Sequence, residues 1–336
     1  MLGHARSPKD QIEEVIDPAL PIIDCHQHFR DRSGERYLFH DFLADASSGH
    51  NIVATVAVEC GAMYSLVMRK DYRPIGEVEF LNGIAAMFAS GQYGATRAAA
   101  GIVGFANLNL GERVRPILDA AVRAGGGRLK GVRNPILWHS SSALMVGRAV
   151  GAGVSKDLMA DHAFREGFSC LSEYNLVFEA WIYHTQLPDL IDLARCFPAN
   201  ILVLNHTGGP AGTGPYEGRR DEVFAYWRSQ IQELARCPNV YVKLGGLGMP
   251  VMGFGFAGRE PPASSVELAN AWRPYFETCI EAFQPNRCMF ESNFPPDRVT
   301  CSYLALWNAY KRFAARYSPT ERTALFSGTA ATVYRL

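Results

Sequence analysis

The chain of 336 residues lacks an excess of either charge: Lys plus Arg and Asp plus Glu number 33 each. That balance argues against nucleic acid or an anionic membrane as the main partner. No stretch reaches the ~18 consecutive apolar residues of a membrane-crossing helix. Residues 1–18 are polar, with Lys9, Asp10, Glu13, Glu14 and Asp17, and lack the apolar core of a secretory signal. The eight cysteines (25, 60, 170, 196, 237, 279, 288 and 301) show no C-x-x-C spacing, and several sit in apolar runs. Buried free thiols of a cytoplasmic protein are therefore expected, not disulfides or a thiolate zinc site. Internal repeats and low-complexity linkers are absent too, so nothing splits the chain after its first residues.

What is present is a regular alternation. With 48% hydrophobic and 20% charged residues, a large core can be buried. Short apolar runs at 21–24, 52–60, 102–107, 129–133, 176–181, 201–205, 240–244 and 288–292 read as parallel strands buried on both faces. Helical stripes lie between them, such as Phe164, Phe168 and Leu171, or Val223, Trp227, Ile231 and Leu234. Strand and helix alternating eight times predict an α/β fold, a single (β/α)8 TIM barrel spanning 20–336 behind an N-terminal extension, 1–19. An open doubly wound sheet is disfavoured because no Gly-rich phosphate turn follows the first strand. Three loops, 61–77, 134–161 and 245–263, exceed what barrel turns need. The third, rich in Gly, Phe and Met, is expected to form a mobile apolar lid.

Polar residues gather where the strands end. The first strand runs into Asp24-Cys25-His26-Gln27-His28, and strict alternation would put Asp24, His26 and His28 on one face. The second ends in Glu59, the fourth in Lys130 and Arg133, and the fifth in Glu179 and His184. The sixth ends in Asn205-His206, the seventh holds Lys243, and the eighth ends in Glu291, Asn293 and Asp297. Any one of these is ordinarily a hydrogen-bonded structural residue; the same end of nearly every strand is a cluster. Four imidazoles (His26, His28, His184, His206) with carboxylates suit a divalent ion such as zinc with an open position, which is hydrolytic chemistry. Arg133, Lys130 and Lys243 could hold a substrate carboxylate or an oxyanion.

Four segments in order resemble one family. Ile22-Ile23-Asp24-Cys25-His26-Gln27-His28-Phe29 is similar to a D-x-H-x-H-F opening, and Asn205-His206-Thr207-Gly208-Gly209-Pro210 to a D-H-x-G-x-P segment. Glu291-Ser292-Asn293-Phe294-Pro295 resembles the G-S-D-W-P or G-S-N-F-P segment that closes the barrel. Phe326-Ser327-Gly328 through Tyr334-Arg335-Leu336 resembles a terminal F-x-G-N-A-x-x-x-Y-x-L. The chain thus resembles the amidohydrolase superfamily, in its amidohydrolase-2, lactonase-like branch. The resemblance implies a TIM-barrel lactone hydrolase whose site uses His26, His28, His206 and the position of Asn293, with a metal in many members and none in some. An aspartate is usual where Asn293 stands, and an amide cannot serve as a base.

The expected function is hydrolysis of a small carboxylated lactone or related ester by activated water. His26, His28 and His206 are the expected metal ligands for a divalent ion, Zn, with metal-independent action as the other course. His206, Asp297 and Asn293 are the expected catalytic groups, Asp297 activating water in preference to Glu291. Arg133, Lys243, His184 and Trp138 are expected to bind a small-molecule substrate. Partners in nucleic acid or membrane are not expected, and a homo-oligomer is left open. Non-oxidative decarboxylation of an aromatic or unsaturated acid on the same fold, and a non-catalytic binding barrel, are the alternatives.

Overall fold

The computed structural model describes residues 13–32, 34–147 and 154–336. Strand β1 (Pro21–Gln27) leads into a short hairpin, β2 (Arg30–Arg32) and β3 (Glu35–Tyr37), and helix α1 (Phe39–Ala46). Strand and helix then alternate: β4 (Asn51–Val58), α2 (Ile75–Ala89), β5 (Arg97–Gly104), α3 (Arg115–Ala124), β6 (Leu129–Val132) and α4 (His162–Cys170). The pattern continues through β7 (Val177–Ala180), α5 (Leu187–Cys196), β8 (Leu202–Leu204), α6 (Arg220–Leu234), β9 (Val240–Leu244) and α7 (Ser265–Phe283). It ends with β10 (Cys288–Phe290), α8 (Tyr303–Ala314), α9 (Pro319–Thr323) and α10 (Thr329–Tyr334).

Eight strands form one parallel sheet in the order β1-β4-β5-β6-β7-β8-β9-β10. Backbone bonds return its last strand to its first: Asn293 N donates to His26 O and His28 N to Phe294 O, each at 2.8 Å. The result is a nearly closed (β/α)8 barrel, as the alternation predicts. Ile23, Cys25, Val56, Val58, Val103, Val177, Val203 and Met289 fill its interior, joined by Val333 and Tyr334 of α10. The outer strand faces meet the helices, where Phe164, Phe168, Trp227 and Ile231 are buried as their spacing predicts. Side-chain oxygens start several helices: Asp161 caps α4, Ser264 caps α7 in a box with Glu267, and Ser302 caps α8.

Strand β5 starts at Arg97, earlier than the apolar run at 102–107, because Ala98 and Ala99 are small enough to continue it buried. A second difference matters more. On β1, Asp24 pairs with Thr55 but Gln27 pairs with Ala57, so β1 advances one residue more than β4. This bulge breaks the alternation. Asp24 does not share a face with His26. Its carboxylate accepts from Tyr303 Oη of α8 and Ser292 N, both at 2.9 Å. Burial pushes Asp24 up to about 6.

All eight cysteines are free thiols, and all but Cys196 are buried. No helix among the described residues is long and apolar enough to cross a membrane. Glu13 and Ile16 of the expected extension bond to Ser265 and Asn308, which ties that segment to α7 and α8.

Candidate active site

His26 and His28, two apart, stand together at the end of β1, with their Nε2 atoms 3.2 Å apart. His28 Nδ1 lies 2.8 Å from Val58 O, a partner that only accepts, so Nδ1 carries the proton and Nε2 the lone pair. His206 follows β8, and Glu291 follows β10. Glu291 Oε1 accepts from His206 N at 2.9 Å and lies 2.7 Å from His206 Nδ1. Its Oε2 lies 2.9 Å from His26 Nδ1, yet among the described residues no donor is aligned on it. His26, His206 and Glu291 each offer a ligand atom within 4.8 Å of the others, and all three are buried.

Two ion pairs support this group. Lys243 on β9 places Nζ 2.7 Å from both oxygens of Glu179 on β7 and 3.3 Å from His26 Nδ1. Glu179 also accepts from Asn205 Nδ2 at 2.6 Å and from Tyr334 Oη. Arg133, just past β6, donates from Nε to Glu59 Oε1 at 2.8 Å, and its Nη1 is 3.3 Å from His26 Nε2. Burial lowers the pKa of His26, His28 and His206 well below the ordinary histidine value, with Lys243 leading the charges around His26 and Arg133 those around the other two. Neutral imidazoles with lone pairs follow. The same burial pushes Glu291 up to about 8.

Backbone shape holds these groups together. His206 and Thr207 adopt φ of 53° and 55°, and Asn293 of 51°. Such left-handed residues are uncommon outside glycine and asparagine, and they persist where surrounding bonds fix them. Here Trp227 Nε1 donates to Thr207 O at 2.8 Å, and Glu291 holds His206 N. Two glycines after β9 make room. A Cβ on Gly245 would lie 2.5 Å from Glu291 Cγ, and one on Gly246 2.4 Å from His206 Nδ1.

A cavity of about 320 Å³ opens above, lined by His28, His206, Arg133, Glu59 and Asn293, and by Ile136, Leu137, Trp181 and Val251. The structure thus brings His26, His28, His206, Arg133 and Asn293 together. Lys243 lies beneath them, fully buried in its pair with Glu179. Asp297 is fully buried, with Oδ1 taking Asn293 Nδ2 at 2.7 Å and Oδ2 taking Gly248 N at 3.0 Å. Burial pushes it up to about 8, and it does not line the cavity. His184 packs against Tyr216 and Tyr226, and Trp138 N bonds Gln186; neither reaches the cavity wall. The sequence favours Asp297 over Glu291, marks Tyr334 only as part of the terminal motif, and carries no signal at Arg30 or Arg32. The Gly-rich segment after β9 is packed: Phe254 lies against Trp272 and Tyr275, while Met249–Val251 line the cavity.

Residues 23–336 match the family model for amidohydrolases. The chain belongs to the amidohydrolase family. Protein y4mH of Sinorhizobium fredii (strain NBRC 101917 / NGR234) is 32% identical over 301 residues, 89% of this chain and 86% of that one. An L-fucono-1,5-lactonase of Burkholderia multivorans (strain ATCC 17616 / 249) is 28% identical over 324 residues, 94% and 96% of the two chains. A crystal structure of a Burkholderia multivorans amidohydrolase with bound zinc superposes with a TM-score of 0.70 at 26% identity, covering 94% of this chain and 99% of that one. This amidohydrolase is an enzyme of hydrolytic, lactonase-like type, and its His26–His206–Glu291 group is suited to a cation.

Proposed function

We propose that the protein opens a small lactone with water, and the observation that carries this reading is the set of neutral imidazoles and buried carboxylates at the floor of the cavity. Ring opening needs a proton acceptor for water, positive charge for the developing oxyanion, and exclusion of bulk solvent. His28, with its tautomer fixed by Val58 O, offers Nε2 as the acceptor. The Asn293 amide commits its Nδ2 to Asp297, which leaves Oδ1 to orient the water. Arg133 brings a guanidinium to the cavity wall beside His26. Asp297, with both oxygens engaged, holds Asn293 in place.

His26, His206 and Glu291 fit a divalent ion. Of the buried charges around them, Lys243 is committed to Glu179 and Arg133 to Glu59, so among the described residues Glu291 has no cation of its own and one oxygen without an aligned donor. When bound, an ion such as zinc supplies Lewis-acid polarisation of the lactone carbonyl. The related lactonase and the zinc-containing neighbour support both parts of the reading.

The test uses purified protein with elemental analysis, a panel of sugar-acid lactones, and proton release followed by indicator. Expected results are opening of at least one lactone, a tenfold or greater fall after chelation restored by zinc, and loss of turnover in His28→Asn. Carbon dioxide release from an aromatic acid with no lactone opened would replace this reading with decarboxylation.

A further inference from the structure

The hairpin β2–β3 stands outside the barrel alternation, and its position gives it a use. Arg30 and Arg32 lie two apart on β2, and both line the cavity together with Arg133. Among the described residues, three guanidinium groups therefore face a space whose wall contains one carboxylate, Glu59. That carboxylate is held by Arg133. Arg133 is committed further, since its other nitrogens lie on Glu59 O and His26. Among the described residues, the positive charge of the cavity wall that is not held by Glu59 is therefore that of the hairpin. Arg30 pairs through Nη2 with Glu35, a half-exposed partner whose grip water weakens. Its Nε is buried and has no hydrogen-bond partner among the described residues. A buried N–H that aims at no protein acceptor is one that a ligand can satisfy. Arg32 reaches Cys60 O with one nitrogen and remains exposed otherwise, at the cavity mouth. The rest of the wall is largely apolar (Ile136, Leu137, Trp181, Val251), which suits the body of a compact ring.

We propose that Arg30 and Arg32 form a carboxylate-reading subsite, so that the substrates are lactones carrying a carboxylate away from the reacting ester, in preference to neutral lactones. This rests on the lactone-opening reading above, and the closing experiment separates the two. A planar guanidinium pairs with a carboxylate through two parallel bonds, which an uncharged amide of the same shape cannot match. Hydrolysis of 5-oxotetrahydrofuran-3-carboxylate is compared with that of its 3-carboxamide, and binding of the unreactive tetrahydrofuran-3-carboxylate with that of its carboxamide by calorimetry. For the unaltered protein the acid should be favoured at least tenfold over the amide in both measurements. Arg30→Gln and Arg32→Gln, checked for folding by circular dichroism, should each cut that preference several-fold, and the double variant should abolish it. Equal binding of acid and amide by the unaltered protein overturns the subsite, whatever the variants do. Acid-selective binding that is lost in the variants, with no lactone opened, keeps the subsite and sinks the reaction instead.

Discussion

Glu291→Gln is the sharpest perturbation of the site. The substitution keeps shape and burial, and it removes the carboxyl group that His206 leans on and that a bound cation would hold in its ionised form. In the unaltered protein Glu291 Oε1 takes His206 N at 2.9 Å and faces His206 Nδ1 at 2.7 Å. Hydrogen bonds to a charged group contribute roughly 1.5–3 kcal/mol each, against about 1 kcal/mol for a neutral pair. A glutamine carbonyl keeps these contacts at neutral strength and presents an amide where a cation would sit. The net loss of positioning is then about 1–4 kcal/mol, or between about fivefold and one-thousand-fold in turnover if it falls on the transition state. Stability should move little or rise, because burial already disfavours the carboxylate form and pushes it up to about 8. The assay is kcat on the best lactone, alongside metal content and Tm. A variant with kcat within threefold of the unaltered protein and unchanged metal content would refute the role given to Glu291.

Two further outcomes follow from separate observations. Gly246→Ala places a Cβ 2.4 Å from His206 Nδ1 at a φ of +66°, whereas Gly255→Ala at +73° meets nothing within 4 Å. Both should lower stability through the left-handed backbone, by roughly 1–2 kcal/mol, read as a fall in Tm, but only the first should abolish turnover; equal activities would show that the clash is relieved. The second concerns acid stability. His50 is buried, with Nδ1 2.9 Å from Lys311 Nζ and Nε2 3.1 Å from Leu304 O. Burial, then the Lys311 charge, lowers His50 to about 4 from 6.5. The unfolded chain takes up this proton below 6.5 and the folded chain does not, so its contribution is complete above pH 6.5 and lost as pH falls towards 4. The window corresponds to an upper limit of about 3 kcal/mol. His50→Gln should flatten the fall in Tm between pH 6.5 and 4, and an unchanged slope would contradict it.

The barrel was legible because its strands are short apolar runs, and parallel strands buried on both faces have no other composition available. The position of His26, His28 and His206 was legible for a related reason: polar side chains at the ends of such runs have little to do there except meet one another. Choosing among the carboxylates was harder. Asp297 and Glu291 lie in one segment, and only the fold shows that the first is saturated by Asn293 and Gly248 while the second reaches two imidazoles. Lys243 reads as a substrate cation until Glu179 is seen facing it across the barrel. The hairpin Arg-Asp-Arg and Glu-Arg-Tyr carries no apolar alternation, so only the glycine at 34 hinted at a turn. Strict alternation puts Asp24 with the histidines, and a register slip leaves no mark in composition.

That slip has a meaning for anyone wishing to transplant the histidine pair. Copying Asp-x-His-x-His onto a regular strand of another barrel would turn the aspartate inward with the histidines, away from the Tyr303 and Ser292 partners that hold it here. Here two consecutive residues, Cys25 and His26, turn inward, with Cys25 Sγ 3.1 Å from Phe290 O. The portable unit is therefore the irregular strand together with the Ser292–Asn293–Phe294 backbone that grips it.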